Sequence, residues 1–82
     1  MRENARKVYV DITLRISTEG EIRPLAIVFE DGHTYEIDRV KHICKAASLK
    51  VGGCGTRYTV VIKGKESYLF HEDARWFVEA KY

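Results

Sequence analysis

An alternation of apolar and polar side chains near the start of the chain constrains the fold more than any other feature of the sequence. From Val8 to Ile16 every second residue is aliphatic, and each residue between is aromatic, polar or charged. This period of two predicts a β-strand with one buried face. We therefore expect a fold built on a β-sheet.

Short β-branched and aromatic segments bounded by turn residues recur along the rest of the chain, as in all-β proteins. Strands are predicted at residues 25–30, 33–38, 40–47, 56–63, 66–71 and 74–79, with turns at 17–21, Asp31-Gly32, Gly64-Lys65 and Glu72-Asp73. The segment 40–47 is ambiguous, because Val40, Ile43 and Ala47 would also line one side of a helix. Its neighbours favour a strand, in which a bulge or a single helical turn could occur.

Two-residue turns fix the predicted register of each hairpin. The Asp31-Gly32 turn would pair Val28 with Tyr35 and place Ile27 and Phe29 on the opposite face. Apolar side chains on both faces of a short strand suggest a partner surface or a tightly curved small barrel.

The later turns define two further hairpins. Gly64-Lys65 would pair Val60 with Leu69, and Glu72-Asp73 would pair Leu69 with Trp76. Trp76 would then lie in the core, together with Val78.

Six or seven short antiparallel strands in one domain of 82 residues predict a small β-barrel, because closing the sheet removes most unpaired edges. An SH3-like barrel is the first choice. An OB-like barrel is the second, since it normally has a helix between its third and fourth strands that only residues 40–47 could supply. Residues 1–6 are expected to form a frayed tail.

Composition excludes several classes of protein. No apolar run has the length of a membrane span, and no leader of charged and then apolar residues opens the sequence, so we expect a cytoplasmic protein without membrane contact. Two cysteines are too few for a disulfide scaffold.

The sequence predicts no metal, no cofactor and no catalysis. A zinc site written from His42, Cys44, Cys54 and His71 lacks the closely spaced pair typical of such sites. No Ser or Cys stands in a nucleophile motif. Thiol chemistry at Cys54 is an alternative, because cationic neighbours would favour its thiolate.

The strongest functional signal is a run of positive charge. Residues 39–65 contain no Asp or Glu and carry a net charge of +7, against −3 for the residues before them and −2 for those after. The predicted nucleic-acid-binding residues are Arg39, Lys41, Lys45, Lys50, Arg57, Lys63 and Lys65. Such residues bind phosphates by releasing counterions. The alternative is a solvated face that keeps a small protein soluble.

A glycine-rich loop interrupts this basic segment. The predicted loop residues are Ser48, Gly52, Gly53 and Gly55. Glycines allow several backbone N–H groups to converge on an anion. The spacing is not that of a P-loop, and a plain hairpin tip is the alternative.

Aromatic residues near the basic segment add to the signal. Tyr58, Tyr68 and Phe70 are candidate platforms for stacked bases, although about half of the aromatics must fill the barrel. The leading hypothesis is a non-catalytic module that binds DNA or RNA. The alternative is a protein–protein adaptor or homodimer that associates through an exposed strand edge or through Ile27 and Phe29.

Several segments together resemble an uncharacterised family of small bacterial proteins, chiefly from Firmicutes. They are residues 24–27, 35–40, 46–48 with Gly52-Gly53, 57–59, 68–70 and 75–78. The resemblance implies a small β-barrel accessory protein whose relatives can be encoded near error-prone DNA polymerases. It therefore implies a nucleic-acid or repair-protein partner, and it implies no catalytic residues.

Overall fold

Seven β-strands make up the computed structural model, which describes residues 5–47 and 54–81. They are β1 (Ala5–Ile16), β2 (Ile22–Val28), β3 (Thr34–Glu36), β4 (Arg39–Ala47), β5 (Cys54–Ile62), β6 (Lys65–Glu72) and β7 (Arg75–Lys81). These two ranges contain no helix. The all-β class predicted from the sequence is confirmed.

The strands form one antiparallel sheet in the order β3-β2-β1-β7-β6-β5-β4. The sheet curls until its two end strands approach each other. The Ile37 N–H donates to the Leu25 carbonyl of β2 at 2.8 Å, and the Asp38 N–H donates to the Val61 carbonyl of β5 at 2.7 Å. These consecutive N–H groups join the two ends of the sheet into a half-barrel. The predicted small barrel is confirmed, and its SH3-like type stays a prediction.

The core lies inside the curl of the sheet. Its buried residues are Ile27, Tyr58, Val60, Leu69 and Trp76. Val10, Ile12 and Leu14 of β1 pack against this cluster, because alternate side chains of a strand point to the same side. Ile16, the last residue of the predicted alternation, is exposed. The alternation therefore corresponds to a β-strand with one face toward the core, as predicted from the sequence.

A second apolar layer lies on the outer face, which is the side of the sheet away from this core. Register aligns Tyr9, Phe77, Phe70 and Arg57 across four adjacent strands. The Phe70 and Phe77 rings are stacked, with centroids 4.8 Å apart and an interplanar angle of 5°. Phe70 is 1% exposed and Phe77 is 0% exposed. The sheet is thus apolar on both sides across β6 and β7.

The predicted register of the β2–β3 hairpin is wrong by one residue, because Ile27 lies opposite Tyr35. The Phe29 N–H donates to the His33 carbonyl at 2.8 Å, which closes a loop of three residues, 30–32. The extra loop residue shifts the pairing of β2 with β3 by one position. A shift of one position moves each side chain of β2 to the opposite face of the sheet from the one predicted. Ile27, predicted on the partner-facing side, is therefore buried in the core.

The two later hairpins keep their predicted faces. Their turns are Lys63-Gly64 and Asp73-Ala74, so each register is shifted by two residues from the prediction. Both residues of the first turn have positive φ, 52° and 77°, as in a type I′ turn. A shift of two leaves each side chain on the same face, and Leu69 and Trp76 are in the core as predicted.

Two strand boundaries also bear on the predictions. The segment 40–47 is a strand, and a bulge between Val40 and His42 interrupts its pairing with β5. β1 includes Ala5 and Arg6, which pair with Lys81 and Ala80 of β7. The predicted frayed tail is therefore wrong for residues 5 and 6, and residues 1–4 lie outside the described ranges.

Candidate nucleic-acid interface

Six of the seven predicted basic residues lie on three neighbouring strands and one of the turns between them. Arg39, Lys41 and Lys45 are exposed on β4, and Arg57 is half-buried on β5. Lys63 is exposed in the β5–β6 turn, and Lys65 is exposed at the start of β6. The seventh, Lys50, lies outside the described residues. The fold thus brings these six side chains to one part of the sheet, and their contact with nucleic acid stays a prediction.

The six side chains do not share one face. Arg39 and Arg57 lie on the outer face, whereas Lys45 lies on the inner face by its register with β5. The Lys63 Nζ is 5.3 Å from the centroid of the Tyr35 ring, at the end of the barrel. Positive charge is thus spread over both faces of β4 and β5 and over the β5–β6 turn, and we call these six side chains the rim.

An acidic residue lies within this rim. Glu66 accepts a hydrogen bond from Lys41 and forms an ion pair with it. That hydrogen bond lowers the pKa of Glu66, and the charges of Lys41 and Arg39 act in the same direction. Position 66 follows directly after the acid-free segment, and the β5–β6 hairpin folds it back beside β4. Local positive charge is therefore weaker than the sequence suggests.

Of the four predicted glycine-loop residues, the structure describes Gly55 alone. Ser48, Gly52 and Gly53 lie outside the described residues. Gly55 belongs to β5, and a Cβ built there would lie 2.2 Å from the His71 carbonyl oxygen of β6. The predicted loop position of Gly55 is therefore wrong, and the close approach of the β6 backbone accounts for its lack of a side chain. That Gly55 binds an anion stays a prediction.

One of the three predicted aromatic platforms is accessible. Tyr58 and Phe70 are buried, so their prediction as platforms is wrong. Tyr68 is 44% exposed on the outer face of β6. A period-two pattern cannot distinguish Tyr68 from Phe70, because both lie on the outer face of β6 and differ only in what covers them.

Arg57 and Tyr68 form the centre of the candidate interface. The Arg57 Cζ lies 4.5 Å from the centroid of the Tyr68 ring. Thr59 lies directly opposite Tyr68 and next to the exposed His42 of β4. The Arg57 Nε is buried without a hydrogen-bond partner, so the guanidinium is positioned by the aromatic ring and its own stem.

A second set of cations on aromatic rings was missed by the sequence reasoning. The Lys7 Nζ lies 4.6 Å from the Phe77 ring centroid, and the Arg75 Cζ lies 3.4 Å from that of Tyr9. Glu72 accepts a hydrogen bond from the Tyr9 hydroxyl at 3.1 Å and pairs with Lys7 at 3.5 Å. The signal in the sequence was the spacing of Lys7 and Tyr9, because residues two apart in a strand lie on the same face.

The residues of the alternative zinc site are not brought together. Register places Cys44 on the outer face and His71 on the inner face, where its ring stacks on Trp76 at 4.1 Å. Across residues 5–47 and 54–81, no three His, Cys, Asp or Glu side chains form a group that could hold a metal ion. The side chain of Cys54 is outside what the structure describes.

Comparison with known proteins leaves the family open, because no protein-family model, curated protein or solved structure matches this chain. The resemblance to the Firmicutes family therefore stays a prediction. Within the part of the chain that is described, no helix has the length and apolar character needed to cross a membrane.

Proposed function

We propose that this protein is a non-catalytic module that binds single-stranded nucleic acid on the outer face of β4, β5 and β6. The observation that carries the proposal is the Arg57 guanidinium held over the half-exposed Tyr68 ring. Proteins that bind single strands combine aromatic platforms with cations that follow the phosphate backbone. A cytoplasmic setting in DNA synthesis or repair belongs to the same proposal.

Each part of the interface has a separate role in this proposal. A base stacks on the exposed surface of Tyr68, and the planar Arg57 guanidinium contacts the same base or the adjacent phosphate. Arg39, Lys63 and Lys65 contact further phosphates along the rim. Lys41 contributes less, because its ion pair with Glu66 already neutralises its charge.

The test is fluorescence anisotropy with labelled single-stranded DNA, single-stranded RNA and duplex DNA across a range of salt. Four phosphate contacts predict a log–log salt slope of about −3 for a single strand. Tyr68→Ala should weaken binding by about 5- to 150-fold, the usual value of one stacked base. Tyr68→Phe keeps the ring and should bind like the wild type.

A charge-matched pair of variants separates the interface from general electrostatics. Arg57→Gln and Arg15→Gln each remove one positive charge, but Arg15 is exposed on β1, at a distance from β5 and β6 in the strand order. Arg57→Gln should weaken binding and make the salt slope shallower by about 0.7. Equal losses from both variants, or no binding at low salt, would contradict the proposal.

A further inference from the structure

The barrel is open at one side, between the first half of β2 and β4. β3 pairs only with residues 26–28 of β2, and the consecutive bonds of Ile37 and Asp38 close the sheet at that level. Beyond it a cleft of about 620 Å³ separates the two strands. We call it the β2–β4 cleft; its apolar walls come from Ile22, Val40, Ile43 and Tyr58.

One wall of the β2–β4 cleft is an unpaired strand edge. β4 has nine residues, and within the described ranges β5 is its one strand neighbour. Its other edge therefore presents N–H and C=O groups that can accept a further strand. The facing part of β2 is a poorer partner, because Pro24 has no N–H and the Leu25 carbonyl already accepts the Ile37 N–H.

The cleft also presents apolar surface for the side chains of an added strand. Ile43 lies opposite Tyr58 on the inner side of the sheet and is nevertheless 51% exposed. Ile22 lines the other wall and is half-buried. A strand that enters the cleft would place every second side chain against these residues.

Charge identifies the occupant that fits. β4 carries Arg39, Lys41 and Lys45 and no acidic residue, and Arg23 lines the opposite wall. Because Glu66 of β6 already pairs with Lys41, the excess positive charge here comes from Arg39, Lys45 and Arg23. Glu21 is the acidic residue of the lining. In an antiparallel pair of two copies of β4 centred on Ile43, Lys41 of each copy would lie opposite Lys45 of the other, and like charges directly opposite are unfavourable in a sheet. Acidic side chains on an incoming strand would instead face opposite charges.

We propose that an extended acidic segment of another protein pairs with the free edge of β4 inside the β2–β4 cleft and completes the barrel. Backbone hydrogen bonds to β4 provide affinity, and alternating apolar and acidic side chains provide specificity. This site is separate from the Arg57–Tyr68 pair, and neither residue lines the cleft.

The experiment uses the full chain and labelled peptides of about six residues, a usual strand length. One peptide alternates Val and Glu, the second alternates Val and Lys, and the third is the Val–Glu peptide with N-methyl groups on alternate backbone nitrogens. Only the unmodified Val–Glu peptide should bind, with a saturable change in anisotropy. Binding of none, or equal binding of the Glu and Lys peptides, would overturn the proposal.

Variants locate the peptide and distinguish this site from the nucleic-acid interface. Ile43→Ser should weaken binding of the Val–Glu peptide roughly tenfold, because it removes apolar contact at a half-exposed position without opening the core. Tyr68→Ala should leave peptide binding unchanged. The reverse pattern would overturn the assignment, as would a concentration-dependent dimer of the free chain that is lost in Ile43→Ser.

Discussion

The two faces of β6 and β7 are buried to a similar degree by different means. On the inner face, Leu69 and Trp76 are covered by the other strands, because the sheet curls over them. On the outer face, the stacked Phe70 and Phe77 are equally buried, and the long Lys7 side chain lies over the Phe77 ring. Long cationic side chains cover apolar surface while keeping their charge near water. Side chains proposed to meet a ligand therefore share a face with side chains that stabilise the fold.

The largest expected effect tests whether the outer layer is a true core. Phe77→Ala should lower the free energy of unfolding by about 3–5 kcal/mol and Leu69→Ala by about 2–5 kcal/mol, as for buried residues generally. Urea denaturation of both variants provides the measurement. A loss below about 1 kcal/mol for Phe77→Ala would show that the outer layer behaves as ordinary surface.

Gly55→Ala should have the next largest effect. The new Cβ would lie 2.2 Å from the His71 carbonyl oxygen, so β5 and β6 would have to separate locally. Overpacking of this kind costs about 1–3 kcal/mol. Gly20→Ala is the matched control for positive φ, because a Cβ at Gly20 meets no atom within 4 Å. A smaller loss at Gly55 than at Gly20, in thermal and urea unfolding, would contradict the close approach of the strands.

A smaller effect is expected from removing the charge above the outer layer. Lys7→Met keeps an unbranched apolar side chain over Phe77 but removes its cation, and it should cost about 0.5–1 kcal/mol. Lys7→Ala also removes the covering stem and should cost more. Equal stabilities for the two variants would mean that the stem contributes nothing to burial of the ring.

The smallest expected effect is on the pH dependence of stability and involves Tyr58 on the inner face. Burial raises the pKa of the Tyr58 phenol. The unfolded chain then loses this proton first as pH rises, so the stabilisation is complete below about pH 10 and is lost as pH increases through the folded-state pKa. Tyr58→Phe should make the decline of stability above pH 10 less steep. An unchanged decline would show that Tyr58 is not the buried titrating group.

Local signals predicted the strands well, because period-two alternation and β-branched residues report directly on a sheet. Turn lengths were harder to predict. A shift of two residues at Lys63-Gly64 changed no face, whereas one extra residue before His33 reversed β2 and buried Ile27. An error of two residues in the register therefore leaves the buried face unchanged, whereas an error of one residue exchanges the buried and exposed faces of the strand.

The candidate site depended more on contacts between distant segments. The acid-free segment was real in the sequence, but pairing of β6 with β5 brought Glu66 beside Lys41. Tyr58, Tyr68 and Phe70 were all candidate platforms, and only the fold shows that Tyr68 is exposed while Tyr58 and Phe70 are buried. Lys7 lies far from the basic segment in the sequence, and only the pairing of β1 with β7 places it on the same face.

The bonds made by Ile37 and Asp38 have a consequence for motion. Their neighbouring N–H groups hold opposite ends of the sheet, so one local opening of this two-residue link releases β2 and β5 together. Hydrogen exchange reports such cooperative openings. The Ile37 and Asp38 amides should therefore exchange with similar protection. We expect the two hydrogen bonds to break in one cooperative opening, which would separate β2 and β5 from this link at the same time.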